Sequence, residues 1–307
     1  MRRMTSLVWL GIAFAGCGPV AAQQVADTLF VPMVHDPAHA AGKGPLVLVD
    51  AAHHNFHTAT GRYEPFARTL RADGYIVESN TERFTRAGLS RARVLVIANA
   101  LAAENVEEWV LPTPAAFDSA EISAVSAWVR DGGSLLLIAD HMPFPGAAED
   151  LAAVFGVYMC NGFAMIDGGG DGRMDFSRAA HTLADHPITR GRNARERVEA
   201  VQSFTGQAFR LVGGGEGLMT LEPNVLLLFP TVAWQFSKLT PVIRAAGMQQ
   251  GAAVRVGKGR VAVFGEAAMF SAQVVGPNRD PMGMNAPAAS QNAQFLLNVM
   301  HWLEGLL

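Results

Sequence analysis

Cysteine is nearly missing from this chain: two residues in 307, Cys17 and Cys160. If Cys17 is lipidated or removed with an N-terminal signal, Cys160 stands alone and no intramolecular disulfide can form, so stability has to come from a packed core. Charge is sparse and balanced as well. Lys and Arg total 24 against 27 Asp and Glu, and neither sign gathers into blocks, which excludes a nucleic-acid footprint and an acidic tail. The apolar run Leu7 to Ala15 is too short for a comfortable transmembrane helix, and no internal repeat is present. What the chain does have is apolar bulk: half of its residues, enough at this length for one substantial core.

The first 22 residues differ in kind from the rest. Arg2 and Arg3 precede the apolar run and small residues follow it, the layout of a secretory signal. Two cleavage readings stay open: Phe14-Ala15-Gly16-Cys17 approximates a lipoprotein box, and Val20-Ala21-Ala22 suits an ordinary signal peptidase. The expected location is therefore periplasmic, soluble or anchored as a lipoprotein, with membrane contact only through an N-terminal lipid. Residues 23–44, with Pro32 and Pro37 and no sustained period, read as a surface lead-in. Residues 45–307 read as one α/β domain.

Within that domain, Pro45-Leu-Val-Leu-Val-Asp50, Arg93-Val-Leu-Val-Ile-Ala-Asn99 and Ser134-Leu-Leu-Leu-Ile-Ala-Asp140 are short continuous apolar runs with polar ends, as strands buried on both faces should be. Between them, Arg62 to Asp73 stops at Gly74, the run after Asp118 and Glu121 opens on a capping-box pair, and Ala147 to Phe155 is a third helix. Asn161 to Arg197 is an excursion rich in glycine and charge. Strand-like runs return at Val198 to Phe204, Val225 to Phe229, Val232 to Phe236, Ala252 to Val256 and Val261 to Phe264, with a hairpin at Gly257-Lys258-Gly259; Ala289 to Leu306 is a closing amphipathic helix. This alternation predicts a three-layer, doubly wound, mostly parallel sheet of flavodoxin type.

In such sheets ligands sit beyond the carboxyl ends of the strands. With Tyr75-Ile-Val-Glu78 as the second strand, that rule gathers Asp50, His53, His54, Asn55 and His57 from the first strand, Asn99 from the third, Asp140 and His141 from the fourth, and Glu266 from Val261 to Phe264. Asp50, His53, His54 and His57 could hold a divalent metal, although the spacing matches no standard zinc motif. His141, Glu266 and Asp140 are the candidate catalytic groups, with Glu266 suited to general acid–base work in a dry cleft; a helix-start acid is the plainer reading of Glu266. Asn55, Asn99, Arg190 and Gln273 are candidate ligand-binding side chains, Arg190 only if it leaves the His186–Gly191 turn for the cleft. Asp167 to Gly172 departs from the calcium-loop pattern at Gly169 and Arg178. Tyr158 crowds Cys160 too much for a nucleophile elbow.

The segment His54-Asn-Phe-His-Thr58 after the first strand, Gly61-Arg62-Tyr63, Gly132-Gly133-Ser-Leu-Leu-Leu-Ile-Ala-Asp140-His141 and Gly257-Lys258-Gly259-Arg260-Val-Ala-Val-Phe-Gly265-Glu266 together resemble the class I glutamine-amidotransferase-like superfamily. The resemblance is to its branch without the nucleophilic cysteine, akin to gliding-motility, intraflagellar-transport and trehalose-utilisation-like proteins, and it covers most of residues 45 to 305. It implies a flavodoxin-like sheet and carries over His141. Because Asp140-His141 stands where amidotransferases have cysteine, glutamine hydrolysis by thiolate is not expected. Two functions remain: a metal-assisted or acid–base hydrolase acting on a small molecule or carbohydrate-like ligand, and a noncatalytic module binding a carbohydrate or envelope partner in the same cleft.

Overall fold

The computed structural model describes residues 24–170 and 172–307. The export signal expected over residues 1–22, with both of its cleavage readings, lies outside the described residues, as does Asp171. The lead-in segment is more structured than its composition suggests, because β1 (Gln24–Ala26) pairs with a late strand; beyond it Leu29, Val31 and Met33 are exposed.

Three apolar runs form the strands they imply. β2 (Leu46–Asp50), β3 (Ile76–Asn80), β4 (Val94–Ala98) and β5 (Ser134–Ile138) lie in the order β3-β2-β4-β5, all parallel. Side chains alternate faces along a strand, so Val47, Val49, Val94 and Val96 enter one core cluster and Leu48, Leu95, Ile97, Leu135 and Leu137 another. The first cluster takes Tyr63, Phe66 and Leu70 on or beside α1 (Glu64–Ala72).

Between β3 and β4 runs the short α2 (Arg86–Leu89). The second cluster takes Val125, Trp128 and Val129 of α3 (Ser119–Arg130), and Phe144 and Leu151 of α4 (Phe144–Ala153). The capping box at the start of α3 is present: Asp118 accepts from the Glu121 N–H at 2.8 Å and Glu121 accepts from the Asp118 N–H at 3.3 Å.

The middle of the chain supplies short strands: β6 (Val157–Met159), β7 (Phe163–Ile166), the β8 (Arg173–Ser177) and β9 (Ala200–Phe204) pair flanking α5 (Pro187–Arg190), β10 (Phe209–Leu211), β11 (Gly215–Thr220), β12 (Val225–Leu228) and β13 (Val242–Arg244). The run Val232 to Phe236 is not a strand. Trp234 takes a left-handed φ of 66°, which breaks extended backbone, and the segment forms a loop tied to residues 109–111 through a Val110–Val232 bridge.

β14 (Gln249–Val256) and β15 (Gly259–Phe264) form the expected hairpin, and β15 then pairs parallel to β5. The large sheet therefore reads β3-β2-β4-β5-β15-β14-β10-β6, with β11 also on β14; β14, β10, β6 and β11 join through antiparallel pairs. β16 (Ala272–Val275) and β17 (Asp280–Gly283) make a sheet with β1, and β7, β12 and β13 make another. The fold is thus mixed α/β, one large sheet with a parallel half and several small antiparallel sheets. The closing helix α6 (Asn292–Glu304) buries Phe295, Leu296, Val299, Trp302 and Leu303. At about 1.5–3 kcal/mol for each large apolar side chain, as an upper bound, that face stabilises the fold by on the order of 10 kcal/mol.

Register positions the site. Asp50 is level with Asn80, Ala98 with Ile138, and Ile138 with Phe264. Asn99, Asp140 and Glu266 therefore leave three adjacent strands at one height.

Candidate functional site

A cavity of about 290 Å³ opens above those strand ends. His57, Asn99, Asp140, His141, Glu266 and Gln273 line its polar side, and Phe56, Trp109, Phe144 and Trp234 line it with rings. Six residues expected from the sequence thus meet in one hollow.

Glu266 is fully buried at the start of a 3-10 turn, Ala268–Phe270. Its Oε1 accepts the Ala268 N–H at 2.7 Å and its Oε2 the Met269 N–H at 2.8 Å. The carboxylate thus accepts two N–H groups of that turn, and the residue also lines the cavity. Burial, then the neighbouring Asp140 carboxyl, pushes its pKa up to about 8 against the pull of the backbone amides. Asp140 accepts from the N–H of His141 at 2.7 Å and of Ala267 at 3.4 Å, and burial raises it as well. Two carboxyls so enclosed cannot both stay ionised. The backbone permits this crowding because Gly206, at φ 90°, passes where a Cβ would stand 2.2 Å from the Gly265 carbonyl and 2.9 Å from the Glu266 Cβ.

Asn99 organises the opposite wall. It takes φ 52°, a left-handed conformation asparagine tolerates, and its Oδ1 accepts the Asp140 N–H at 2.9 Å. Its amide is thereby oriented to donate from Nδ2 to His57 Nδ1, 3.1 Å away. Neutral His57 must then carry its proton on Nε2, which faces the Gln273 amide at 3.4 Å; the Gln273 orientation that satisfies both groups turns its oxygen to that proton. The other amide atom of Gln273, itself 1% exposed, is left buried without a partner. Burial, with the charges of Arg62 and His141 adding to it, pushes His57 down to about 3, so it stays neutral.

His141 donates from Nδ1 to the Met142 carbonyl at 2.8 Å. Its ring stacks on Phe163, with centroids 4.5 Å apart, and lies T-shaped to Trp234, with centroids 4.7 Å apart. In the neutral ring Nε2 is then the acceptor nitrogen, and among the described residues it has no hydrogen-bond partner.

The structure corrects the metal expectation. His53 donates from Nδ1 to Asp50 (2.9 Å) and from Nε2 to Glu121 (2.9 Å), between the rings of Phe84 and Phe117. Burial opposes its charge, but the hydrogen bonds and charges of Asp50 and Glu121 outweigh that and raise its pKa. Both nitrogens carry protons and neither has a lone pair for a metal. His54 takes φ 46° and is exposed, outside the cavity, and His57 belongs to the Asn99 wall. Asp50, His53, His54 and His57 therefore do not converge, and among the described residues no group of three His, Cys, Asp or Glu is placed to hold an ion.

Two ligand-binding candidates also fall away. Asn55 donates to Asp50 at 3.0 Å and accepts from the His53 N–H, bracing the loop without lining the cavity. Arg190 pairs with Asp185 at 3.2 Å and does not reach it. Sequence reasoning missed the ring wall. Phe56, Trp109 and Trp234 stand outside strands and helices, and Trp109 and Trp234 are two of only five tryptophans; that scarcity was the available signal. It also missed Gln24, which lines the cavity from the lead-in strand and donates to Met282 Sδ at 3.4 Å.

Comparison with known proteins bounds the assignment. No family model matches the chain, and no curated protein matches it. Among solved structures, the IFT52 N-terminal domain (mmIFT52) superposes with a TM-score of 0.59 at 14% identity, over 85% of this chain and 97% of that one. A putative ThuA-like protein from Bacteroides uniformis gives 0.46 at 13% identity over 87% and 95%; a cytoplasmic protein from Salmonella typhimurium gives 0.49 at 15% over 84% and 98%. These findings overturn the superfamily assignment: the motifs that carried it match no family model, and the ThuA-like structure is too distant to restore it. The chain shares its fold with the IFT52 N-terminal domain, and the likeness extends to the fold alone.

Proposed function

We propose that this chain is an exported acid–base hydrolase for a small molecule or carbohydrate-like ligand held at the strand ends, on a three-layer, doubly wound frame of flavodoxin type. One observation carries the reading: two enclosed carboxyls, Asp140 and Glu266, line the same small cavity as a histidine whose Nε2 is open. Glu266, held protonated near neutrality, is the proton donor to a leaving oxygen; His141 Nε2 takes a proton from the attacking water; Asp140 keeps the proton on its neighbour. The volume suits about one sugar ring, and the rings of Trp109 and Trp234 line it. Cys160 is half-buried and burial raises its pKa, which suits no thiolate mechanism.

The test is hydrolysis of a panel of chromogenic glycosides and esters by protein recovered from the periplasm. His141→Ala should lower kcat at least about 100-fold, and Cys160→Ser should leave it unchanged. Turnover that survives His141→Ala sinks the hydrolytic reading. A second reading, noncatalytic binding in the same cavity, is favoured by the four carboxyl oxygens of Asp140 and Glu266 each accepting a backbone N–H; under it, a bound glycan is recovered intact.

A further inference from the structure

We infer that the cavity receives a small organic cation, its ammonium group set against Asp140 and Glu266 and flanked by the rings of Trp109 and Trp234. This rests on the same cavity being the working site; because the cation displaces the proton that Glu266 would donate, the bound cation competes with the proposed hydrolysis and is not its substrate.

Charge makes the first argument. The cavity wall carries two carboxyls, and among the described lining residues there is no Lys or Arg to balance them. An anionic ligand would add to that imbalance, and a neutral one would leave it standing. A cation supplies the missing countercharge. The wall makes the second argument: Phe56, Trp109, Phe144 and Trp234 surround the hollow, and ring faces attract ammonium groups, most strongly where water is excluded.

The third argument comes from unspent hydrogen-bonding capacity. His141, 8% exposed, turns an unpartnered Nε2 acceptor to the cavity, and Gln273 keeps one amide atom unpartnered beside it. An ammonium or hydroxyl hydrogen would satisfy the first, and a ligand oxygen the second. The class is therefore an amino alcohol or an aminated sugar.

Binding should also move a proton. The titratable groups facing the carboxyl pair are His57, His141 and Tyr63, whose hydroxyl donates to the Ala267 carbonyl; Arg62 lies behind them, over the Phe56 ring. Of these, the charge of His141 opposes the rise of Asp140 alone, and none of the described groups places a cation on Glu266. An arriving ammonium takes the place of the proton the two carboxyls hold, so one proton leaves for each cation bound.

The experiment is calorimetric titration of the folded protein with choline, ethanolamine and dimethylbutanol, the uncharged carbon isostere of choline. We expect choline to bind at least about tenfold more tightly than its isostere. Its affinity should rise by up to about tenfold per pH unit below the Glu266 titration, with one proton released, read from buffers of different ionisation enthalpy. Glu266→Gln should abolish the proton release; should that variant not fold, Asp140→Asn and the wild-type pH series carry the same test. Equal affinity for choline and its isostere overturns the inference, as does pH-independent choline binding or no binding of either cation. Cation binding without turnover of the chromogenic panel removes the hydrolytic reading only, whereas turnover of neutral substrates with no cation binding removes this inference only.

Discussion

Replacing Glu266 with glutamine should change how stability depends on pH more than it changes stability at any one pH. Glu266 is fully buried and its pKa moves from 4.5 to about 8 because of burial and the Asp140 carboxyl. A raised acid is protonated in the fold over a range where the unfolded chain is ionised. Its contribution is thus complete below 4.5 and is lost as pH climbs through about 8. A span of about three and a half pH units at about 1.4 kcal/mol each gives about 5 kcal/mol. Glutamine keeps the shape but offers one oxygen to the two N–H groups of Ala268 and Met269, which costs about 1–3 kcal/mol at every pH. Urea unfolding from about pH 4 to 9 measures both. The difference between wild type and Glu266→Gln should favour wild type most in acid and shrink or reverse by pH 9. Subtraction cancels the other titrating groups except Asp140, whose own pKa falls once its neighbour is neutral. A difference that stays constant across the range refutes the reasoning, because Glu266 would then be ionised in the fold.

Three more outcomes follow from the same geometry. His57, pushed down to about 3, contributes stability that is complete above 6.5 and lost as pH falls towards 3; its imidazole NMR shifts should stay those of the neutral ring between about pH 7 and 4, and a midpoint near 6.5 would show the wall to be solvated. Glu121→Ala removes the α3 capping box together with the acceptors of His53, Arg83 and the Phe84 N–H, and should cost about 3–5 kcal/mol in chemical denaturation; a cost under about 1 kcal/mol would mean water takes over those bonds. Gly206→Ala puts a Cβ against the Gly265 carbonyl at φ 90°, so it should cost more than about 2 kcal/mol, whereas Gly168→Ala, at φ 89° in open space, should cost only about 1–2 kcal/mol.

Legibility from sequence followed the strength of local signals. The runs ending at Asp50, Asn99 and Asp140 are apolar at every position between their end residues, which only doubly buried strands require, and the Asp118–Glu121 box marks its helix by chemistry specific to a helix start. Those signals sufficed to put Asn99, Asp140 and Glu266 at one height. The middle of the chain gave less because its strands are three to six residues long and pair across long separations, as in β7 with β12. The tetrad Asp50, His53, His54 and His57 misled because spacing does not fix direction. One left-handed residue, His54, sends the side chains before and after it to different partners, and a partner 68 positions on in the chain, Glu121, claims His53.

That claim gives the misread histidine a role. The loop from Ala51 to His57 has no regular secondary structure, so something must fix where His57 points. The His53 carbonyl accepts the Leu101 N–H and the Asn99 carbonyl accepts the Phe56 N–H, both at 2.9 Å, while the His53 ring locks the loop to β2 through Asp50 and to α3 through Glu121. The charge on His53 is stable because two carboxylates share it, and those carboxylates are tolerable in the interior because His53 and Arg83 neutralise them. The carboxyl pair in the cavity has the opposite arrangement: among the described residues no Lys or Arg lines the cavity beside Asp140 and Glu266, and burial together with the Asp140 carboxyl holds Glu266 protonated instead. Two acidic clusters at neighbouring strand ends thus differ in one respect, whether the chain supplies the countercharge. Where it does, the cluster holds a loop; where the described residues do not, the proposed cation would supply it.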